Sequence, residues 1–379
     1  MFRSTTWTVL ALVASACGAD ATTQATTTAP ALAADAGTDT ESAVAFGSQT
    51  VPPTAADAAA CDDLAAALPP LAGATLGAAF ATTYRTYDLG PVPGVPGGPW
   101  ESLGAVYVRA DEPLAMYVVA ASETPKAALY RVAIVRDACG HILRFDGTAE
   151  KVASMPNADA NLVASPLGWL YTRVPMAELG HAPIGDAPGS SDLKALGVPG
   201  PFTAKQPDPG VAATGIAVVP TYLAAAGELV ISTYPSGDFF HVTTTAAAGR
   251  ITATAVSKRS RLPHGPGGFA YVPPGSPGFT APSLVVTEWY LADDWAPELN
   301  EPADGAPQGV AAYEVDDAGD PKPETRRPFF TQFPRPWGAF FEPVTGDFLF
   351  ATWHGASPSP DRIVQVRGFA KPPPAPSPK

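Results

Sequence analysis

The stretch GFAYVP (Gly268–Pro273) recurs in altered letters as GIAVVP (Gly215–Pro220) and GAFFEP (Gly338–Pro343). Each copy reads small, apolar, any, apolar, any, proline. Odd and even positions differ, as they do on the two faces of a strand, and the closing proline ends the strand because it has no amide proton for a ladder. A second apolar block follows each copy: LVISTY (Leu229–Tyr234), LVVTEW (Leu284–Trp289) and FLFATW (Phe348–Trp353). A third follows that: FFHV (Phe239–Val242), VAAYEV (Val310–Val315) and RIVQV (Arg362–Val366). The same three strands in the same order mark a repeat.

Two weaker copies lie upstream. NLVASP (Asn161–Pro166) leads to WLYTRV (Trp169–Val174), with no clear third strand, and GAVYVR (Gly104–Arg109) leads to LAMYVVA (Leu114–Ala120) and ALYRVAIV (Ala128–Val135). Copies therefore begin at positions 104, 161, 215, 268 and 338, the last gap being stretched by the insertion Tyr290–Gly309. Fourth strands are visible as RITATAVS (Arg250–Ser257) and PFFTQF (Pro328–Phe333). Repeats of this length with three or four strands each are the pattern of propeller blades, and 44 prolines and 35 glycines punctuate them while helical patterns are scarce. The expectation is an all-β fold, a β-propeller over residues 61–370 with five blades. The last copy stops after its third strand, so AAFATTYRTY (Ala78–Tyr87) is expected to complete it and remove an exposed edge. Six blades is the alternative, with a degenerate blade in Pro175–Pro209. A β-sandwich would not repeat one strand order five times.

Ahead of this lies a short positive start (Arg3), an apolar stretch ten residues long (Trp7–Ala16) and a small-residue box, ASAC (Ala14–Cys17). The stretch is too short to span a bilayer and has the form of a secretory signal. It resembles the bacterial lipoprotein signal, although Ala14 stands where Leu or Val is usual. That resemblance implies cleavage of residues 1–17 before Cys17, lipidation of the Cys17 sulfur, and insertion of the acyl chains into a lipid bilayer. Gly18, rather than Asp, follows the cysteine, which in that family implies the outer membrane or cell surface. Residues 18–60 are rich in Ala and Thr, with too little apolar bulk to offset the entropy of ordering, and read as a disordered tether. Residues 371–379, KPPPAPSPK, read as a disordered, extended proline-rich tail. Cys61 and Cys139 are the two remaining cysteines and are expected to pair in an oxidising compartment. The closed loop would stabilise the fold by about 4 kcal/mol in the chain-entropy account.

The net charge of −13, with no basic stripe, is wrong for a nucleic-acid partner. GPGGFA (Gly265–Ala270) resembles a dinucleotide fingerprint, yet it precedes a strand and no helix follows. VDDAGDP (Val315–Pro321) aligns with VRDACG (Val135–Gly140) as a hairpin turn rather than a calcium loop. In a propeller, loops entering the first strands and loops between second and third strands open on one face. Trp100, Trp289, Trp295, Trp337 and Trp353 map there. Trp289 and Trp353 share a repeat position with Tyr234 and read as packing, which leaves Trp100, Trp295 and Trp337 as candidates to hold a glycan or a surface protein. Glu288, His264 and His354 are the weak catalytic candidates, with a divalent metal or an acid–base pair in the central funnel as the chemistry they would serve. The blade pattern is similar to that of five-bladed arabinanase-like glycosidases and six-bladed gluconolactonase-like hydrolases, but neither carboxylate set can be located. Two expectations result: a binding module, or a propeller hydrolase. Three carboxylates within reach of one another would favour the second; a funnel of apolar and Thr side chains would favour the first.

Overall fold

Each repeated block forms one antiparallel sheet, and the sheets stand around an axis as a five-bladed propeller. The computed structural model describes residues 68–98, 101–202, 211–291, 295–296, 301–302, 309–333, 335–354 and 360–374. Two N-terminal strands, β1 (Thr75–Leu76) and β2 (Arg85–Gly90), precede the blades. Blade I holds β3 (Val106–Arg109), β4 (Glu112–Ala120), β5 (Ala128–Arg136) and β6 (Ile142–Ser154). Blade II holds β7 (Ala158–Ser165), β8 (Gly168–Arg173), β9 (Glu178–Pro183) and β10 (Gly189–Asp192). Blade III holds β11 (Ala212–Val218), β12 (Leu229–Tyr234), β13 (Asp238–Ala247) and β14 (Arg250–Arg261). Blade IV begins with β15 (His264–Tyr271) and β16 (Ser283–Leu291). The insertion follows as a two-stranded ribbon, β17 (Trp295–Ala296) with β18 (Glu301–Pro302), before β19 (Gly309–Glu314) and β20 (Arg327–Gln332) complete the blade. Blade V holds β21 (Pro336–Phe341), β22 (Phe348–Thr352) and β23 (Ile363–Arg367).

The N-terminus closes the ring as expected. β2 pairs with β23, Thr86 opposite Val366 and Tyr87 opposite Gln365, so a strand that precedes blade I is the outermost strand of the last blade. β1 adds a short fifth strand to blade IV. The closing strand begins later than the sequence suggested. Residues 78–83 form a turn in which the Ala81 amide donates to Gly77 O and the Tyr84 amide to Phe80 O. Phe80 and Tyr84, four apart, thus share one face and pack against Phe329, with ring centroids 4.9 and 5.2 Å away. The alternative sixth blade is ruled out by β9 and β10, which fall inside Pro175–Pro209 and are the missing outer strands of blade II.

The first residue of the hexapeptide explains the repeat. Copies begin at Gly104, Asn161, Gly215, Gly268 and Gly338, and these positions meet at the axis. A Cβ on Gly338 would lie 2.2 Å from Gly104 O, and one on Gly268 would lie 2.7 Å from Trp337 O, so neighbouring backbones leave no room for a side chain. Blade II alone breaks the rule, and its Asn161 (4% exposed) fills the space the glycines leave. Asn161 Nδ2 donates to Ala339 O in blade V (2.6 Å) and to Phe269 O in blade IV (3.4 Å), while its Oδ1 accepts the Phe269 amide (3.0 Å). The axis is therefore blocked at this level by a hydrogen-bonded side chain.

A second ring surrounds the first. Ser122 Oγ donates to Ala158 O (3.1 Å), joining blades I and II, and Thr172 Oγ1 donates to Thr214 O, joining II and III. Thr214 Oγ1 donates to Pro266 O (3.1 Å), joining III and IV, and Thr287 Oγ1 donates to Trp337 O (2.9 Å), joining IV and V. At the last joint Asp361 Oδ2 accepts the Leu103 amide (2.7 Å), joining V and I. Each bond satisfies a buried backbone group that neighbouring sheets cannot reach with a ladder.

Asn161→Ala is expected to leave the Phe269 amide and Ala339 carbonyl unpaired at the axis and to cost about 3 kcal/mol or more of stability, at 1–3 kcal/mol per orphaned group. Urea titration followed by tryptophan fluorescence measures it; a loss within about 0.5 kcal/mol, the usual range of a surface change, would show that the side chain does not hold the hub.

Candidate functional site

The axis has an upper mouth, where the innermost strands begin, and a lower mouth, where they end. At the upper mouth Trp337 and Trp289 are buried (5% and 4% exposed), their rings 5.0 Å apart, with Trp353 5.1 Å from Trp289. Trp289 Nε1 donates to Pro336 O (2.6 Å) and Trp337 Nε1 to Asp159 Oδ1 (2.8 Å). Trp289 and Trp353 are packing elements, as their repeat position implied. Trp337 belongs to the same packed cluster and offers no open ring face, which departs from its expected place as an exposed binder. Of the other two candidates, Trp100 lies outside the described residues, and Trp295 is placed by its backbone on β17, paired with Pro302.

Beside this cluster the structure assembles a pair of acids that the sequence reading missed. Asp159 begins the innermost strand of blade II and is fully buried. Glu123, half-buried, sits in the loop between β4 and β5 at a left-handed φ of 63°, and its amide donates to Ala158 O (2.9 Å). Among the described residues Asp159 Oδ2 has no hydrogen-bond partner. Burial first, and the neighbouring Glu123 charge second, hold the Asp159 carboxyl well above the usual carboxylate range, against the lowering effect of the Trp337 N–H. Burial pushes Glu123 up to about 7.

The expected catalytic candidates do not converge. Glu288 (2% exposed) accepts the Tyr313 hydroxyl and pairs with Arg326, whose Nη2 lies 2.6 Å from Oε2. It is a salt-bridged structural carboxylate. His354 sits at the joint of blades V and I, Nδ1 2.8 Å from Asp361 Oδ2 and Nε2 3.2 Å from Gly98 O, beside a cavity of about 100 Å³. The nearby hydroxyl is committed: Thr352 Oγ1 accepts the Arg362 amide (3.0 Å) and donates to Asp361 Oδ1 (3.3 Å). His264 stands at the start of β15, opposite Leu291. Among the described residues no group of three or more His, Cys, Asp or Glu side chains is placed to hold a metal ion.

Turns between third and fourth strands open on the lower face. Asp137 Oδ1 accepts the amides of Cys139 and His141, and Asp316 Oδ1 accepts those of Ala318 and Asp320, so the two aligned turns share one side-chain brace. Cys139 is in the first of them; Cys61 and Cys17 lie outside the described residues.

The lower mouth holds a cavity of about 160 Å³ floored by Asn161 and Phe269 and walled by Tyr107, Tyr222, Tyr271 and Phe340. Two of its phenols are already committed to backbone, Tyr222 to Val272 O (2.8 Å) and Tyr271 to Gly319 O (2.9 Å), which fixes the rings and leaves their faces as the available surface. Pro372, Pro373 and Pro374 complete the wall. The proline-rich tail is thus ordered against the propeller at these positions.

No protein-family model matches the chain, and no curated protein matches it in sequence. Among solved structures, similarity is found to a proposed 6-phosphogluconolactonase from Bacteroides uniformis (12% identity, TM-score 0.36, 66% of this chain and 77% of that one). It is also found to a proposed oxidoreductase, described as a glucose dehydrogenase, from Thermus thermophilus (11%, TM-score 0.36, 75% and 100%), and to a protein from Lactobacillus plantarum (9%, TM-score 0.33, 66% and 77%). The activities of these proteins are not carried over to this chain.

Because the folded state holds protons on Asp159 and Glu123 that the unfolded chain releases near pH 4, stability falls as pH rises from there toward 7. Asp159→Asn keeps an acceptor for Trp337 Nε1 and removes the ionisation. It is expected to raise the melting temperature at pH 8 and to leave it almost unchanged at pH 4. Thermal melts at both pH values check this; an equal shift at both would show that ionisation is not the cause.

Proposed function

We propose that this protein is an exported, lipid-anchored propeller that works as a binding module, with the aromatic lower mouth as its site and an apolar stretch of a protein partner as its ligand. The observation that carries the proposal is the mouth itself, a fixed set of ring faces over a blocked axis. Small-molecule sites enclose roughly 300–1,000 Å³; the cavity here is about 160 Å³, room for a projecting group rather than an enclosed substrate. A sugar needs convergent hydrogen-bonding groups, and the two phenols best placed to supply them are engaged elsewhere. That favours a protein partner over a glycan.

The address is supported by the signal-like segment ending at Cys17 and by Gly18 after it. A cross-link between Cys61 and Cys139 fits that compartment. A hydrolytic reading has one observation in its favour, the protonatable pair Glu123–Asp159. It requires a substrate to reach Glu123, because Asp159 has no exposed surface.

Two outcomes are expected. Cys17→Ser moves the protein from the membrane to the soluble fraction on cell fractionation; unchanged membrane association would remove the anchor. Saturation-transfer NMR with p-cresol as an aromatic probe gives a signal with the full chain that falls roughly tenfold in Tyr222→Asp, the scale of a lost hot-spot contact. A signal that survives Tyr222→Asp and vanishes in Glu123→Gln would move the site to the upper mouth and support the hydrolytic reading.

A further inference from the structure

After β23 the chain stays on the fold. Phe369 (8% exposed) packs against Tyr84, Phe341 and Phe348, with ring centroids 4.4, 4.8 and 5.8 Å away. The Ala370 amide then donates to Ser276 Oγ at 3.1 Å. These anchors direct Lys371–Pro374 over the lower mouth, where Pro372 and Pro373 are half-buried. The two sides match chemically. A run of prolines holds an extended left-handed helix with no internal hydrogen bonds, so seating it costs little conformational entropy. Rigid aromatic faces set side by side are the kind of surface on which such helices dock. The neighbouring Tyr107 and Phe340 rings, 4.3 Å apart, supply a continuous apolar patch for the pyrrolidine rings.

We infer that, granted the lower mouth is the binding site, its ligand is an extended proline-rich segment of a protein, and that this chain's own Pro372–Pro374 occupies the site in cis. A tail tethered this closely acts at an effective concentration of about 1 mM. Against a segment that binds the open site with a Kd of about 0.1 mM, the tail would weaken apparent affinity about tenfold. The tail therefore sets a threshold: a partner displaces it by binding more tightly or by presenting several segments together.

The test uses the full chain and a fluorescein-labelled peptide of sequence KPPPAPSPK, read by anisotropy. Pro372→Ser, Pro373→Ser and Pro374→Ser combined in one variant release the tail. This variant is expected to bind the peptide about tenfold more tightly than the wild type does. In the released background Tyr222→Ala abolishes binding, and a peptide with alanine at every proline does not bind. Should Tyr222→Ala melt early, Phe340→Leu supplies the same test by keeping bulk and removing the flat ring. Equal affinity of wild type and released variant, equal binding of the proline-free peptide, or indifference to both ring substitutions would each overturn the inference. Retention of p-cresol with no peptide bound would overturn the proline ligand and leave the mouth a site; loss of both would overturn site and ligand together.

Discussion

Asn161 is the constraint on which the rest of the molecule depends. Five sheets meeting at an axis bring innermost strands so close that four of them carry glycine at the meeting point. Five glycines there would leave a void lined with unpaired backbone groups, and five side chains would not fit. One asparagine among four glycines resolves both problems, since a primary amide can donate and accept at once. It bonds to blades IV and V from blade II, across the axis rather than around it. The surrounding ring of Ser and Thr hydroxyls then ties each blade to the next, with Asp361 supplying the final joint to Leu103. In a closed ring no blade can tilt without breaking bonds at two joints.

This arrangement also sorts the chemistry of the two mouths. Above the hub, indole rings pack over a buried carboxylate whose second oxygen has no partner among the described residues, an unfavourable place for a charge. Below it, aromatic rings surround a cavity of about 160 Å³. With the axis plugged between them, neither mouth can serve as a through-channel, and the two sites are independent. Further joints lie outside the hub. His241 sits between Glu228 (2.7 Å) and Asp320 (3.0 Å), and although burial works against its charge, these carboxylates raise its pKa. At the joint of blades I and V, Arg136 reaches the fully buried Glu342 (3.1 Å) and His141 reaches Asp347 (2.7 Å). His141, His241 and His354 are thus each fasteners at a blade joint.

Much of this was legible in the amino-acid sequence because the signals are local. The hexapeptide with its closing proline and the apolar blocks after it report strands directly, and their order reports blades. The Thr in LVVTEW (Thr287) and WLYTRV (Thr172) is visible too, though its role as a staple is not, since its acceptor belongs to the next blade. The outer strands of blade II escaped notice because GSSD (Gly189–Asp192) has no apolar alternation; it is held by pairing with β9. Asp159 and Glu123 were invisible as a pair because 36 positions separate them and only the ring brings them together. KPPPAPSPK reads as an extended tail, but Pro372–Pro374 lie against residues of several blades, and no local pattern announces such a surface. Tryptophan counts pointed to the upper mouth for a related reason: a buried indole and an exposed one are spelled alike.

Native-state hydrogen exchange tests the stapled hub most directly. The amides of Phe269, Gly215 and Leu103 donate to side chains, to Asn161 Oδ1, Ser232 Oγ and Asp361 Oδ2 respectively. If these bonds hold the ring, all three amides exchange only through global unfolding, with the same opening free energy as the ladder amides of β12 and β22. Exchange of any of them at lower free energy, while those ladders stay protected, would mean that the hub opens by itself and that blade pairing alone holds the propeller together.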